Sequence, residues 1–196
     1  QVENTRKTMS KIASNFFNNP SKDLKIIGIT GTNGKTTTTQ IIDHILKYSK
    51  LSSSSLGTLG FKSPTGIIST GFTTPESIEL QQILDTLKKG GVDYVPMEIS
   101  SHSIALNRID DVIIDFAIFT NMGSDHLDFH ITKENYFLTK LQLFENLHKS
   151  KIAIINVDDS YSSLIIESMT CDSFTYGFSK QADLYITDYK LKLDKS

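Results

Sequence analysis

A single cysteine, Cys171, serves the whole chain of 196 residues. With no second thiol it forms no internal disulfide, which suits a reducing compartment and excludes a disulfide-built fold. No apolar run is long enough to span a membrane, and the N-terminus lacks an apolar signal core. Neither sign of charge is in excess. Twenty basic and 22 acidic residues leave a net charge of -2, which gives no support for binding nucleic acid or a membrane surface. There is no internal repeat, and Gln1 is not an initiator methionine, so the chain reads as processed or as cut from a longer one. What is present is enough length for one domain with a sizeable core, or for one domain and a piece of another. Hydrophobic residues make up 38% and charged residues 21%, the balance of a folded chain rather than a disordered one.

Apolar periodicity divides the chain into alternating strands and helices. Met9, Ile12, Ala13, Phe16 and Phe17 predict a short amphipathic helix over 5–17, closed by Asn18-Asn19-Pro20-Ser21. The β-branched run 25–30 predicts a buried strand, and Ile41, Ile42, Ile45 and Leu46 predict a helix over 36–50. Ser52 to Ser55 read as a turn, and 56–70, with its Gly, Ser and Pro64, as a loop or short hairpin. Thr73-Thr74-Pro75-Glu76 reads as a helix start, with the helix running to Lys89 and stopped by Gly90-Gly91. Strands follow at 93–99, despite Pro96, and at 112–120. A Thr132-capped helix spans 133–147, with Tyr136, Lys140, Leu143, Phe144 and Leu147 on one side. Strands at 151–157, 174–177 and 184–193 and a helix at 162–169 complete the reading. The expected class is α/β, a mainly parallel sheet with helices on both faces. In such sheets ligands gather beyond the carboxyl ends of the strands, so the loops after Thr30, Ile99, Thr120 and Asn156 are the ones to watch.

The first of these loops reads Gly28-Ile29-Thr30-Gly31-Thr32-Asn33-Gly34-Lys35-Thr36-Thr37. Strand, glycines, lysine, threonine and helix occur in the order of a phosphate-binding loop. The usual glycine five residues before Gly34 is replaced by Ile29, with glycines at 28 and 31 instead. Gly31 and Gly34 allow tight backbone geometry and close approach of a ligand. The helix N-terminus favours an anion, Lys35 can reach terminal phosphates, and the Thr36 hydroxyl suits magnesium. The bland alternative is a glycine-rich turn with a surface lysine.

Three more segments carry chemistry. "MEISSHSIALNRI", Met97 to Ile109, puts Glu98 at a strand's carboxyl end, able to hold magnesium directly or through water, or simply to sit in solvent. "FTNMGSDHLDFH", Phe119 to His130, crowds Asp125, His126, Asp128 and His130 together. His126 and His130 are four apart, but no third ligand of matching pattern follows and no glutamate stands beside His126, so zinc is discounted. "NYFLTKLQLF", Asn135 to Phe144, places Lys140 on the helix face of Tyr136 and Phe144, where a lysine can snorkel out of an amphipathic surface.

Together these blocks resemble the Mur ligase family, in its MurE branch. The loop variant matches over Gly28 to Thr37, a form shared with folylpolyglutamate synthetases. The stretch at Met97 to His102 is similar to Met-Glu-Val-Ser-Ser-His, that at Thr120 to Asp128 to Thr-Asn-x-x-x-Asp-His-Leu-Asp, and that at Tyr136 to Phe144 to Tyr-x-x-x-Lys-x-x-x-Phe. The resemblance implies a P-loop-type Mur ligase central domain, incomplete here: residues 1–22 as the end of an N-terminal domain or linker helix, 23–196 as a truncated central ATPase domain, and no C-terminal domain. It implies ATP on Gly31, Thr32, Asn33, Gly34, Lys35, Thr36 and Thr37. It implies magnesium at two sites, the first on Thr36 and Glu98 and the second on His126 and a carbamylated Lys140. Lys35, Lys140 and His126 are the implied catalytic residues. Thr73, Thr74, Ser100 and Arg108 match contacts to a UDP-sugar-peptide substrate, although Leu106 replaces a common glutamine. The implied activity is an ATP-dependent amide ligase of peptidoglycan precursor synthesis, adding lysine or diaminopimelate to UDP-N-acetylmuramoyl-L-alanyl-D-glutamate. The enzyme would be cytoplasmic and monomeric, with no nucleic-acid or membrane partner, and the isolated chain inactive. The alternatives are a folyl- or poly-glutamate ligase of the same superfamily and a non-catalytic nucleotide-binding module.

Overall fold

The computed structural model describes residues 1–63 and 66–190. Pro64 and residues 191–193 of the expected last strand lie outside them. In chain order the elements are α1 (Thr5–Phe16), β1 (Lys25–Thr30), α2 (Lys35–Tyr48), β2 (Leu56–Gly57), β3 (Gly60–Ser63), β4 (Gly66–Ile68), α3 (Ser77–Lys89), β5 (Tyr94–Glu98) and α4 (Ser101–Ala105). They continue with β6 (Phe116–Phe119), α5 (Leu127–His130), α6 (Lys133–Glu145), β7 (Ile152–Asn156), α7 (Ser162–Ser168), β8 (Asp172–Gly177) and β9 (Leu184–Tyr185). Among the described residues nine strands form one sheet, ordered β4-β3-β2-β5-β1-β6-β7-β8-β9. All pairings are parallel except those of β2 with β3 and β3 with β4, so 56–68 is a hairpin ribbon on one edge.

Alternation along the strands sorts the core into two layers. Ile26, Ala117, Phe119, Ala153 and Ile155 point into a large cluster with Leu80, Leu84, Tyr136 and Phe144 from α3 and α6. Ile27, Ile29 and Ile118 point the other way, against Ile42 and Leu46 of α2. Helices therefore cover both faces, as expected of a sheet whose central strands are apolar on both sides. The chain runs from β1 to the β2–β5 side, then crosses to β6 on the other side. The loop after β1 lies at this reversal, the place where open parallel sheets bind ligands.

Several local expectations change. Ser52 to Ser55 form no turn but an extended segment along β5: Tyr94 N–H donates to the Ser52 carbonyl at 3.0 Å and Ser54 N–H to the Tyr94 carbonyl at 3.1 Å. The serines suit it because their hydroxyls find partners, with Ser53 donating to Asp43 at 2.8 Å. Helix α3 starts at Ser77, not at the threonines, because the buried Thr74 hydroxyl is committed to the Glu98 carbonyl at 2.8 Å. The strand expected over 112–120 is only Phe116–Phe119, and α4 and α5 are short helices that the periodicity did not mark. In α2 the buried face runs through Thr39 and Asp43, leaving Ile41 and Ile45 exposed. In α1, Ala13 is buried, but Ile12 and Phe16 are exposed at 63% and 76%. Pro96 is tolerated because β2 meets β5 at Met97 and the Ser53 bridge meets it at Tyr94, so the missing N–H falls between them. Thr132 caps α6 as expected, accepting from Asn135 N–H at 3.1 Å.

Candidate active site at the strand tips

The loop from Gly31 to Gly34 joins the end of β1 to the 14-residue helix α2. Gly31 has φ +146°, and a Cβ there would lie 1.9 Å from the Thr120 hydroxyl, so only glycine lets the loop pass the tip of β6. Gly34, at φ +84°, opens α2 without a side-chain cap. The first N–H groups of α2 therefore have no carbonyl within the helix to receive them, and the helix dipole adds positive potential at the same point. Thr32 is buried, while Asn33, Gly34 and Thr37 are exposed. The loop thus offers backbone donors to an anion arriving from solvent. Lys35 folds back over it, donating to the Gly31 and Thr32 carbonyls, both at 2.9 Å. Burial lowers the Lys35 pKa, while the negative charges of Glu98 and Asp125 work to raise it.

Glu98 ends β5 with 1% exposure. Its carboxylate accepts the Thr36 hydroxyl at 2.8 Å, the Thr58 N–H at 2.9 Å and the Thr58 hydroxyl at 3.2 Å. Gly57 makes room for it, since a Cβ there would lie 2.1 Å from a Glu98 oxygen. A carboxylate held against a hydroxyl beside the phosphate loop is a hard-oxygen donor pair that fits magnesium. The structure thus brings Thr36 and Glu98 together. Among the described residues no three His, Cys, Asp or Glu side chains are grouped to hold a metal.

Lys140 reaches the loop from the other side. It is 1% exposed, its amine donates to the Gly31 carbonyl at 3.0 Å, and it stands 4.4 Å from the centre of the Tyr136 ring. The snorkelling alternative fails, because the amine ends in the interior. Both lysines share the Gly31 carbonyl, and among the described residues neither forms an ion pair with a carboxylate. Burial, reinforced by the charge of Lys35 and opposed by Asp125, lowers the Lys140 pKa from 10.5 to about 7. His126 is half-exposed, has a left-handed backbone (φ +52°) and lies 3.5 Å from Asp125. Its ring packs edge-on against His102 at 4.8 Å and faces Tyr136 at 6.1 Å. Tyr136 is thus the ring that both His126 and Lys140 approach. An ammonium is no partner for a cation and a neutral amine is a poor one for a hard magnesium ion, so the second pair fits magnesium best with Lys140 converted to an oxygen-bearing anion.

The four residues expected to touch the second substrate lie along one path from β2 to α3. Thr73 and Thr58 hydroxyls are 3.1 Å apart. Thr74 accepts the Ser100 N–H at 3.1 Å, and the Ser100 hydroxyl caps α4 through Ser103 N–H at 3.1 Å. Arg108 is buried, donating to the Thr74 carbonyl at 3.0 Å and pairing with Glu76 at 2.7 Å, with Phe72 5.1 Å away beneath it. Among the described residues its Nε has no hydrogen-bond partner. Thr74 is thus an internal tie, whereas Thr73 and Ser100 retain partial exposure. Sequence reasoning missed Thr58, Glu76, Asp125 and Tyr136 as parts of this site. Glu76, Asp125 and Tyr136 stood inside segments already singled out. Thr58 sits in a Gly-rich hairpin whose pairing with β5 no local pattern reveals.

The comparisons with known proteins bear on this geometry. A family model described as "Mur ligase middle domain" matches residues 29–196. The UDP-N-acetylmuramoyl-L-alanyl-D-glutamate–2,6-diaminopimelate ligase of Caldanaerobacter subterraneus subsp. tengcongensis is 45% identical over 192 residues, 98% of this chain and 39% of that protein. The enzyme of the same name from Clostridium botulinum is 45% identical over 184 residues, 94% of this chain and 38% of its own length. A solved structure of a ligase of that name superposes with a TM-score of 0.80 at 31% identity, over 93% of this chain and 39% of that one. The chain spans about two-fifths of the length of the curated relatives it matches.

Proposed function

The chain belongs to the Mur ligase family, matching its middle domain, and from that premise we propose that it is the ATP-handling part of a MurE-type amide ligase of peptidoglycan precursor synthesis. One observation carries the reading: Lys35, Lys140 and the Thr36–Glu98 pair all meet at the loop that closes β1. Residues 1–22 are the end of a preceding domain or its linker, and 23–196 are part of the central ATPase domain. The substrates are ATP, UDP-N-acetylmuramoyl-L-alanyl-D-glutamate and a diamino acid. The names of the relatives favour diaminopimelate over lysine. The enzyme works in the cytoplasm as a monomer, without nucleic-acid or membrane partners.

The chemistry must bring a carboxylate against a triphosphate, two anions that repel. Gly31 to Thr37 hold the phosphates on the N-terminus of α2, and Lys35 swings from the Gly31 and Thr32 carbonyls to the terminal phosphate. The D-glutamyl carboxylate attacks the γ-phosphorus, the bond to ADP breaks, and an acyl phosphate forms. The diamino-acid amine then attacks the acyl carbon, and the tetrahedral adduct collapses to the amide and inorganic phosphate. Thr36 and Glu98 would hold one magnesium ion, and His126 with carbamylated Lys140 a second. Bound there, the ions supply charge neutralisation of the transferring group. Carbamylation needs a neutral amine: the Lys140 nitrogen attacks carbon dioxide, one C–O electron pair moves to oxygen, and the nitrogen loses a proton to water. A pKa of about 7 makes roughly half of that amine available at neutral pH. Thr73, Ser100 and Arg108 bind the UDP-sugar-peptide, with Thr74 behind them.

The deciding experiment assays the full-length parent with diaminopimelate and lysine in parallel, alongside ATP binding by the 196-residue chain. Amide formation by the parent, with weak ATP binding and no amide formation by the chain, is the expected result. Amide synthesis by the chain alone, or a parent that ligates glutamate to a folate, would replace this reading.

A further inference from the structure

We propose that Asn121 is a positioning residue of the phosphate loop, its side-chain amide serving as a backbone template for Asn33. The Asn121 Oδ1 accepts the Asn33 N–H at 2.9 Å, and its Nδ2 donates to the Asn33 carbonyl at 3.1 Å. One side chain thus satisfies both backbone groups of one loop residue, as a neighbouring strand would. The surrounding segment completes the pattern. The Asn121 carbonyl accepts Thr32 N–H at 2.9 Å, the Thr120 hydroxyl donates to the Asn33 carbonyl at 2.7 Å, and Gly123 N–H donates to the Thr32 hydroxyl at 2.8 Å. The template is itself pinned to the β7 side. Asn156 Nδ2 donates to the Thr120 carbonyl at 2.8 Å, and Met122 N–H to Asp159 at 2.7 Å.

The consequence is a division of labour among the loop's donors. The N–H groups of Thr32 and Asn33 are spent on fixing the loop, which leaves those that follow, at the mouth of α2, for an anion. Such a loop does not have to be ordered by the phosphate it binds, so less affinity is lost to ordering. The chemistry requires an amide at 121. A carboxylate could accept from Asn33 N–H, but it could not donate to the Asn33 carbonyl, and its charge would stand beside the phosphates.

The inference rests on the nucleotide reading of the loop, so the test separates the two. The whole 196-residue chain, unaltered and as Asn121→Ala and Asn121→Asp, is followed by amide hydrogen exchange and by MgATP titration. In Asn121→Ala the Asn33 amide should exchange about tenfold faster and the MgATP dissociation constant should rise about tenfold, the scale of two lost hydrogen bonds. Asn121→Asp should weaken MgATP further. Exchange in β1 and β6 should stay unchanged in both. Unchanged Asn33 exchange, or acceleration spread evenly over β1 and β6, overturns the proposal. Absence of MgATP binding by the unaltered chain overturns the nucleotide reading, while the Asn33 exchange still decides the template.

Discussion

Two lysines reach the same carbonyl from opposite sides of the strand tips, and their surroundings give them opposite chemistry. Lys35, at the start of α2, is partly open to solvent and lies in the field of Glu98 and Asp125. Those charges oppose the lowering by burial without overcoming it, so its amine is shifted down less far than that of Lys140 and is the one suited to follow a phosphate as a cation. Lys140, in the middle of α6, is enclosed by Tyr136 and the Gly31 carbonyl and is pushed toward neutrality by burial and by Lys35 itself. A desolvated amine without a counter-charge is a nucleophile rather than a cation. The difference teaches that position in a fold, not residue type, assigns the role. In the proposed mechanism the first amine supplies charge to the site, and the second, left near neutrality, is the one open to conversion into an anion.

The sharpest break in this comparison is removal of the neutral amine. On the proposed function, Lys140→Ala in the full-length parent should abolish amide formation, with partial return of activity on adding a short-chain carboxylic acid that can fill the space of the missing anion. Full activity without rescue would remove Lys140 from the mechanism. Lys35→Ala should lower the ligation rate by about 10²–10³-fold, the scale of one lost charge-stabilising donor, and no carboxylic acid should restore it. Stability separates the lysines too. With a folded pKa of about 7 against an ordinary 10.5, the Lys140 ammonium is a cost to folding. That cost is complete below pH 7 and is relieved as pH rises from 7 to 10.5, because there the unfolded chain binds the extra proton. Lys140→Met should therefore stabilise the chain by on the order of 3 kcal/mol at pH 6, with the gain shrinking toward pH 10 in urea titrations. A gain that grew with pH would reverse the sign of this argument. The smallest effect belongs to Arg6, whose exposed pairing with Glu76 at 3.1 Å should be worth under about 1 kcal/mol on Arg6→Ala.

Much of this was legible in the sequence where a local rule and the fold agree. The run from Lys25 to Thr30 is apolar on both faces, and it is the central strand. Thr132 is needed only locally and caps α6 through the Asn135 N–H. The reading failed where a side chain had a distant use. Thr74 looks like a cap, yet its hydroxyl is held by Glu98 across 24 residues. Ser52 to Ser55 look like a turn until Tyr94 provides a strand beside them. For Lys140, helical spacing put it on the right face, but spacing treats a buried amine and a snorkelling one alike. Only the enclosure by Tyr136 and the loop distinguishes them.

The central claim is that the fold leaves Lys140 near neutrality while Lys35 keeps the character of a cation. Nuclear magnetic resonance titration of the lysine side-chain carbons, assigned with the Lys35→Ala and Lys140→Met variants, measures it directly. The account predicts that Lys140 titrates near pH 7, well below the surface lysines and below Lys35. Titration of Lys140 together with the surface lysines near 10.5 would contradict it.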